Sequence, residues 1–286
     1  MNIGYPALLD FQEIGTVSWS ERDVMLYALA IGVGSDPLDP DILDFVYEPS
    51  LKVMPSFVAA LSIDKGAWSR LGLDMGRVLH GAHAVTLHRA VPTSGRCETR
   101  SRITSACDQG PGKAAILIQE MELFLDGDES KLATIATTIF ARGDGGFGGP
   151  VGRPERRGLP DRPPDTARDY ATLPQQALLY RLTGDYNPLH ADPTVARAGG
   201  FDVPILHGMC SYGISCRAVL ETWCDNDPAR LMHHEARFSA PVYPGETLAV
   251  ETWRTGDDVS FRVRAKERDI VVVDNGFTLL RDNRAS

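Results

Sequence analysis

The alternation of apolar and polar residues predicts two similar groups of β-strands, one in each half of the chain. Each group follows a Pro/Gly turn, at residues 91–95 and again at residues 242–245, and is rich in Val, Ile, Thr and Phe. Short turns separate the segments, which is typical of an antiparallel meander. The predicted strands are residues 96–104, 113–125 and 132–142, followed by residues 246–253, 259–266 and 270–280. The repeated order indicates an internal duplication rather than one wound sheet.

A helix is predicted upstream of each meander. Ser20 is a suitable N-cap for a helix over residues 21–31. In the second half, Pro174 suits the first helical position, residues 175–183 continue the helix, and Gly184 stops it. The order of helix and meander is therefore the same in both halves.

A further helix is predicted from residue 209 to residue 223. Its apolar positions recur three and four residues apart, at Met209, Tyr212, Cys216, Val219, Leu220 and Trp223. The other positions are mostly small or apolar, so this helix is expected to lie buried in the curve of a sheet. The resulting fold class is α+β, with helices on one face of an antiparallel sheet.

The strongest change in composition divides the chain into two modules of similar length. Residues 143–164 contain seven Gly and five Pro, which the interior of a helix or strand would not tolerate. We therefore predict modules at residues 1–142 and 170–286, joined by a linker at residues 143–169. The linker has no GxxxxGK[ST] motif, so it is not expected to bind phosphate.

Composition and charge narrow the class of protein. The 286 residues carry a formal charge of -9, which argues against a nucleic-acid or anionic-membrane partner. No apolar run is long enough to span a membrane, and the N-terminus lacks the features of a signal peptide, so a cytoplasmic location is expected. The five cysteines contain no CxxC pair, which makes a disulfide framework or a structural zinc site improbable.

The segment with the clearest chemical content lies between two predicted helices. Asp185, Asn187 and His190 occur in the string GDYNPLH, and a short helix capped by Asp192 and ended by Gly199 follows. Gly184 and Pro188 prevent a continuous helix, so the backbone must turn here. A carboxylate and an imidazole held in this way can share one water or one substrate proton, as general acid–base chemistry requires.

A second segment strengthens this interpretation. The string PILHGM leads into the predicted buried helix, so the backbone N–H of Gly208 or Met209 lies at a helix N-terminus. Such a group stabilises a developing anion, and glycine lets a ligand approach the backbone closely. An acid–base pair combined with an oxyanion donor is more specific than either motif alone.

Other residues are better explained as structure. His233 and His234 precede a glutamate, but neighbouring histidines on a strand face opposite ways, so no metal site is expected there. The pair His80-Gly81 is assigned to the entrance of a strand because β-like residues follow it. The four tryptophans are scattered, which favours packing roles.

Residues 180–219 resemble the hydratase 2 motif of the MaoC-like (R)-specific enoyl-CoA hydratases, and the resemblance extends through residues 237–245. The N-terminal half is similar to the same family in shorter stretches, at residues 21–29, 45–48, 54–57, 78–81 and 92–95. The string D-x-N-P-x-H does not occur before Asp185. The resemblance therefore covers most of the chain but places the motif in one half.

The resemblance implies a tandem, or double, hot-dog fold, in which each half is a curved antiparallel sheet wrapped on a helix. It implies that Asp185 and His190 form the catalytic pair, that Asn187 supports them, and that Gly208 supplies the oxyanion N–H. Members convert a trans-2-enoyl-CoA to the (R)-3-hydroxyacyl-CoA without metal or redox cofactor. The half without the motif would shape the acyl pocket, which suggests medium, long or bulky acyl chains.

Further expectations concern the CoA group and the assembly. Arg237 is the leading candidate for contact with the CoA phosphates, with Arg181 and Arg197 as weaker ones. Met209 and Phe238 are expected to contact the substrate. Since free sheet edges tend to pair, a homodimer is expected. The alternatives are a non-catalytic acyl-thioester-binding or structural subunit and, less favoured, a thioesterase.

Overall fold

The computed structural model describes residues 4–36, 38–62, 67–154 and 157–281, and within them ten strands form one antiparallel sheet. The strands are β1 (Gln12–Trp19), β2 (Val78–Leu87), β3 (Gly95–Asp108), β4 (Ala114–Leu125), β5 (Lys131–Arg142), β6 (Thr166–Ala171), β7 (Leu231–Phe238), β8 (Thr247–Thr255), β9 (Asp258–Ala265) and β10 (Ile270–Leu280). Their order in the sheet is β1-β3-β4-β5-β2-β7-β10-β9-β8-β6. The first five strands of this order belong to the N-terminal half and the last five to the C-terminal half.

The two halves meet where β2 pairs with β7 at the centre of the sheet. Ala82 lies opposite Arg237 and Thr86 opposite His233 in this antiparallel ladder. Main-chain hydrogen bonds therefore continue from one half into the other, and each half contributes an edge strand to the seam.

The six predicted meander strands are confirmed as β3, β4, β5, β8, β9 and β10, with ends that differ by at most four residues. The boundary of the linker differs from the prediction. Strand β6 begins at Thr166, inside the predicted linker, and pairs with β8. Regular structure in the C-terminal half therefore begins at Thr166, before the predicted module start at residue 170. Linker residues 155 and 156 lie outside the described residues.

Five α-helices are present in the described part of the chain. They are α1 (Glu21–Ala30), α2 (Ala67–Arg70), α3 (Gln176–Tyr180), α4 (Pro193–Ala198) and α5 (Gly208–Trp223). Short 3-10 helices lie at Ala7–Asp10, Pro40–Phe45, Glu48–Ser50, Pro55–Ser62, Met75–Arg77, Arg181–Thr183, Pro188–His190 and Pro228–Arg230. No helix in these described segments combines the length and the apolar character that crossing a membrane requires.

The helix starts agree with the prediction in α1 and differ in α3. Ser20 caps α1 in a capping box with Asp23, whose Oδ2 accepts the Ser20 backbone N–H at 2.8 Å. Helix α3 begins at Gln176 rather than at Pro174, because the Gln176 Oε1 accepts the N–H of Leu173 at 3.0 Å and forms a turn there.

Helix α5 is buried along most of its length, as predicted. Every residue from 210 to 220 is buried, and the Tyr212 hydroxyl donates to the backbone oxygen of His234 at 2.7 Å. A side chain at Gly213 would place its Cβ 2.6 Å from Ile31 and 2.8 Å from Tyr27. Glycine at this position therefore lets the end of α1 pack directly on α5, which fixes the two halves together.

The N-terminal half has a much shorter element in the corresponding role. Its sheet is covered by the 3-10 helix Pro55–Ser62, of eight residues, whereas α5 has sixteen. Residues 55–60 are all buried and include the small side chains Ala59 and Ala60. The N-terminal half therefore fills the curve of its sheet with less helix than the C-terminal half does.

Candidate active site

The turn that follows α3 is fixed by its own hydrogen bonds. The chain leaves the helix at Gly184, which has φ of +124°. The backbone N–H of Asn187 donates to Asp185 Oδ1 at 3.2 Å, and Asn187 Oδ1 accepts the N–H of Leu189 at 3.0 Å. Asn187 thereby caps the 3-10 helix Pro188–His190. The supporting role predicted for Asn187 would act through these two hydrogen bonds, which shape the turn between Asp185 and His190.

The ring of His190 is held in one tautomer. Only 9% of the residue is exposed, and its Nδ1 lies 2.8 Å from the backbone oxygen of Ile205. Because a carbonyl oxygen only accepts, Nδ1 carries the hydrogen and the neutral ring presents a lone pair at Nε2. Burial lowers the pKa of His190, although the Ile205 carbonyl and the Asp185 charge oppose this shift. The ring is therefore a neutral base near pH 7.

Sequence reasoning assigned no role to His207, yet the structure places it at the centre of the site. The residue is 1% exposed, and its Nε2 donates to the backbone oxygen of Asp185 at 3.2 Å. Its ring stacks on that of His190, with centroids 3.7 Å apart and planes inclined by 26°. Its position in the sequence, immediately before Gly208 and at the start of a predicted buried helix, could have indicated a role in the site.

Gly208 is the first residue of α5, so its N–H is one of those that no helix carbonyl accepts. A Cβ built on Gly208 would lie 3.2 Å from two ring carbons of Phe238. Glycine therefore permits the close approach of Phe238 to the helix start. Met209, the next residue, is partly buried against the main core. The structure thus places Phe238 against Gly208, with Met209 as the next residue of α5.

A histidine from the N-terminal half also reaches this region. His80 lies in β2, as predicted for a strand entrance, and its ring packs edge-on against Phe238 at 4.9 Å. The pairing of β2 with β5 shifts register at Gly81, where a Cβ would lie 2.2 Å from the ring of Phe140. Burial lowers the pKa of His80 to about 4, against a smaller opposing effect of the Asp185 charge. Its Nε2 is buried without a partner among the described residues.

The three candidate arginines lie on three different elements. Arg237 is next to last in β7 rather than at its start, and strand alternation places it on the face opposite Phe238. The Arg181 guanidinium lies 4.9 Å from the ring centre of Tyr186, beside the turn that holds Asp185. Arg197 is exposed in the last turn of α4. The geometry brings Arg181 closest to the site.

Three side chains in the site could be considered as metal ligands. One ligand atom from each of Asp185, His190 and His207 lies within 4.8 Å of the other two. A metal ion must lie near the plane of each imidazole that binds it, but these two rings are stacked face to face. Two of their nitrogens are also engaged by backbone carbonyls. The three residues therefore do not fit a metal centre.

His233 and His234 lie on opposite faces of β7, as predicted. The Nδ1 of His233 lies 2.8 Å from Thr86 Oγ1, whereas His234 is 1% exposed and stacks on Phe261. The pair therefore does not converge on one ion.

Two family profiles together match most of the chain. A profile described as the MaoC like domain matches residues 156–275, and a profile described as the MFE-2 hydratase 2 N-terminal domain matches residues 17–143. The two matches meet near the linker and coincide with the two halves of the sheet.

Individual relatives match the chain over most of their length. The chain is 39% identical to Enoyl-CoA hydratase ChsH3 of Mycobacterium tuberculosis, over 92% of this chain and 93% of the relative. It is 37% identical to Enoyl-CoA hydratase 2, peroxisomal, of Arabidopsis thaliana, over 90% and 88% of the two chains. The crystal structure of a MaoC-like dehydratase from Phytophthora capsici matches with a TM-score of 0.87 and 30% identity, over 98% of each chain. The expected α+β double hot-dog fold is confirmed.

Proposed function

This chain belongs to the MaoC-like hydratase 2 family, and from that membership we propose that it adds water reversibly to a trans-2-enoyl-CoA, giving the (R)-3-hydroxyacyl-CoA. The observation that carries the proposal is the neutral ring of His190 with its free Nε2, beside the Asp185 turn and the N-terminus of α5. A base, a carboxylate and an oxyanion donor are the three groups that hydration of an enoyl thioester needs.

The tautomer of His190 supports a mechanism in which this residue makes the first proton transfer. Water transfers one proton to His190 Nε2, keeps its other hydrogen in a hydrogen bond to the Asp185 carboxylate, and attacks C3 through its oxygen. The electrons of the C2–C3 double bond move toward the thioester oxygen, which accepts the N–H of Gly208. The imidazolium, made more acidic by burial, then returns a proton to C2 on the same face. In total, a C–O bond forms at C3 and a C–H bond forms at C2, while one O–H bond of water and the C2–C3 π bond break.

We propose that neither a metal ion nor a redox cofactor takes part. Hydration changes no net oxidation state, and water is the only co-reactant. The stacked rings of His190 and His207 are also unsuited to bind one ion. Turnover is expected to be unchanged after dialysis against a chelator, and a loss that added metal restores would overturn this point.

For the acyl group we propose medium, long or bulky chains. The support is the short 3-10 helix Pro55–Ser62, which occupies the place that α5 fills in the C-terminal half. A sheet covered by less helix leaves volume for an acyl chain. A panel of enoyl-CoAs from four carbons upward is expected to give a kcat/KM that rises with chain length, and a maximum at four carbons would refute the preference.

For the CoA phosphates we propose Arg181 first, with Arg197 as an outer contact. Arg181 adjoins the catalytic turn and its Nε has no partner among the described atoms, whereas Arg237 lies on the far sheet face. Arg181→Ala is expected to raise KM for the CoA thioester more at low salt than at high salt. An unchanged KM at both salt concentrations would remove this role.

We propose a homodimer in a reducing, cytoplasmic environment. Three leucines on neighbouring elements are exposed: Leu29 (44%) in α1, Leu178 (52%) in α3 and Leu182 (50%) in the 3-10 helix that follows α3. Together they offer an apolar surface to a second copy of the chain. All five cysteines are free thiols, which suits a reducing compartment. Light scattering at micromolar concentration is expected to give the dimer mass, and a monomer mass would refute it.

The central experiment follows the absorbance of the enoyl-thioester band after mixing with a trans-2-enoyl-CoA. Loss of the band without release of free thiol is expected, with Asp185→Asn as the inactive control. Release of free thiol would indicate a thioesterase instead. Binding without any loss of the band would indicate a non-catalytic acyl-thioester-binding subunit.

A further inference from the structure

One side chain touches both members of the acid–base pair. The Nε2 of His207 donates to the backbone oxygen of Asp185 at 3.2 Å, and one face of its ring lies 3.7 Å from the ring centre of His190. A third ring, that of Tyr180, lies 4.9 Å away at an inclination of 45°. The ring of His207 is thus packed against His190 and Tyr180 and is hydrogen-bonded to the Asp185 turn.

His207 has no direct part in proton transfer. Its Nε2 carries a hydrogen because the partner is a carbonyl oxygen, so Nδ1 has the lone pair. That Nδ1 is buried and has no partner among the described residues. Burial lowers the pKa of His207 to about 3; His190 and Arg181 add smaller effects in the same direction, and the hydrogen bond to the Asp185 backbone oxygen opposes them. The ring therefore remains neutral throughout the working pH range.

The backbone of the same residue begins the helix that supplies the oxyanion donor. His207 is the N-cap of α5, and its carbonyl oxygen accepts the N–H of Cys210 at 3.0 Å. Its side chain and its backbone thus connect the Asp185 turn, the His190 ring and the Gly208 N–H. A shift of about 1 Å between such groups costs about 100-fold in rate.

We propose that His207 is a positioning residue with two separable effects on hydration. Its N–H fixes the backbone of Asp185, and its ring face excludes water from His190. This inference rests on the proposed function, because it assigns His207 to the same reaction. His207 differs from a merely structural residue in that each effect has its own measurable consequence.

The ring face controls the basicity of His190. Three groups face His190: the Ile205 carbonyl and the Asp185 carboxylate favour its protonated form, and the neutral ring of His207 covers one side. Removal of that cover lets water reach the imidazolium, so the pKa of His190 rises toward its usual range. The acidic limb of the kcat/KM profile then moves to higher pH.

Two substitutions separate the two effects. His207→Gln keeps an N–H donor near the Nε2 position and removes the ring, so the acidic limb is expected to rise by about half a pH unit or more. His207→Phe keeps the ring and removes the donor, so kcat is expected to fall about 10-fold or more with the acidic limb in place. His234→Gln is the matched control, since His234 is equally buried but contacts neither member of the pair.

Wild-type kinetics distinguish failure of this inference from failure of the proposed function. If the wild-type protein hydrates enoyl-CoA and both folded variants keep its kcat and its pH profile, the positioning role is refuted. If the wild-type protein hydrates no enoyl-CoA, the proposed function fails.

Imidazole NMR of the wild-type protein tests the same inference without activity or a variant. It is expected to show His207 protonated at Nε2 and neutral down to about pH 4, with His190 protonated at Nδ1. Titration of His207 near pH 6.5, or the opposite tautomer of either ring, would overturn the inference.

Discussion

Three histidines in the core make the protein sensitive to mild acid. His83, His207 and His234 are 2%, 1% and 1% exposed. Burial lowers the pKa of His207 and of His234 to about 3, and that of His83 well below its usual value of 6.5. In the unfolded chain all three take up protons near pH 6.5. The unfolded state therefore binds more protons, and the stabilisation present above pH 6.5 is lost as pH falls from there toward the folded pKa values.

The size of the effect follows from linkage. Between pH 7 and pH 5, a histidine that is neutral when folded and has a pKa of about 6.5 when unfolded removes about 2 kcal/mol from the free energy of unfolding. Three such residues remove about 6 kcal/mol, against a total of about 5–15 kcal/mol for a typical folded protein. At pH 5.5 these three residues alone are expected to contribute an uptake of almost three protons, a slope of about 4 kcal/mol per pH unit, and His80, whose pKa burial lowers to about 4, adds to it.

Urea denaturation followed by tryptophan fluorescence at several pH values from 7 to 5.2 measures this slope. His234→Gln is expected to lower the uptake by about one proton at pH 5.5, whatever its effect on stability at pH 7. An uptake below one proton in the wild-type protein would show that the buried rings are protonated in the folded state, and the reasoning would fail.

Four further substitutions test the site and its support. Asp185→Asn and His190→Gln should each lower kcat by about 10² to 10⁴-fold with little change in the urea midpoint, and near-wild-type turnover in either would remove it from the acid–base pair. Gly208→Val should abolish turnover, since the side chain obstructs the N–H that is worth about 3 kcal/mol in the transition state; retained activity would place the oxyanion donor elsewhere. Gly81→Ala should lower the melting temperature measurably because its Cβ would lie 2.2 Å from an aromatic ring, and an unchanged temperature would show that the ring moves aside freely.

The sequence predicted most of the regular structure because the local patterns were strong. Six strands, the capped start of α1 and the buried helix α5 follow from apolar periodicity and from turn residues. The edge strands β1 and β6 were missed, since their outward residues are polar and their pairing depends on distant partners. Local patterns carry no information on such long-range pairing.

Candidate residues were found where they share one short motif, and His207 was missed although it adjoins Gly208 in a segment that was already singled out. Asp185, Asn187 and His190 lie within six residues of one another, so a single motif revealed them. His80 reaches Phe238 only through the pairing of β2 with β7, which no short motif encodes. Arg237 was favoured from its neighbourhood in the sequence, but the alternation of β7 turns it to the other face.

The seam between β2 and β7 has a consequence for how this molecule can change over time. In a dimer of two identical modules, every substitution occurs twice, once beside each active site. Here the duplicated halves are covalently linked and share one ladder of main-chain bonds, so each can vary alone. Under the proposed function, the half without the acid–base motif can alter its lining for a new acyl group while the other half keeps its chemistry. Fusion of two copies would then exchange a second active site for a pocket that varies independently.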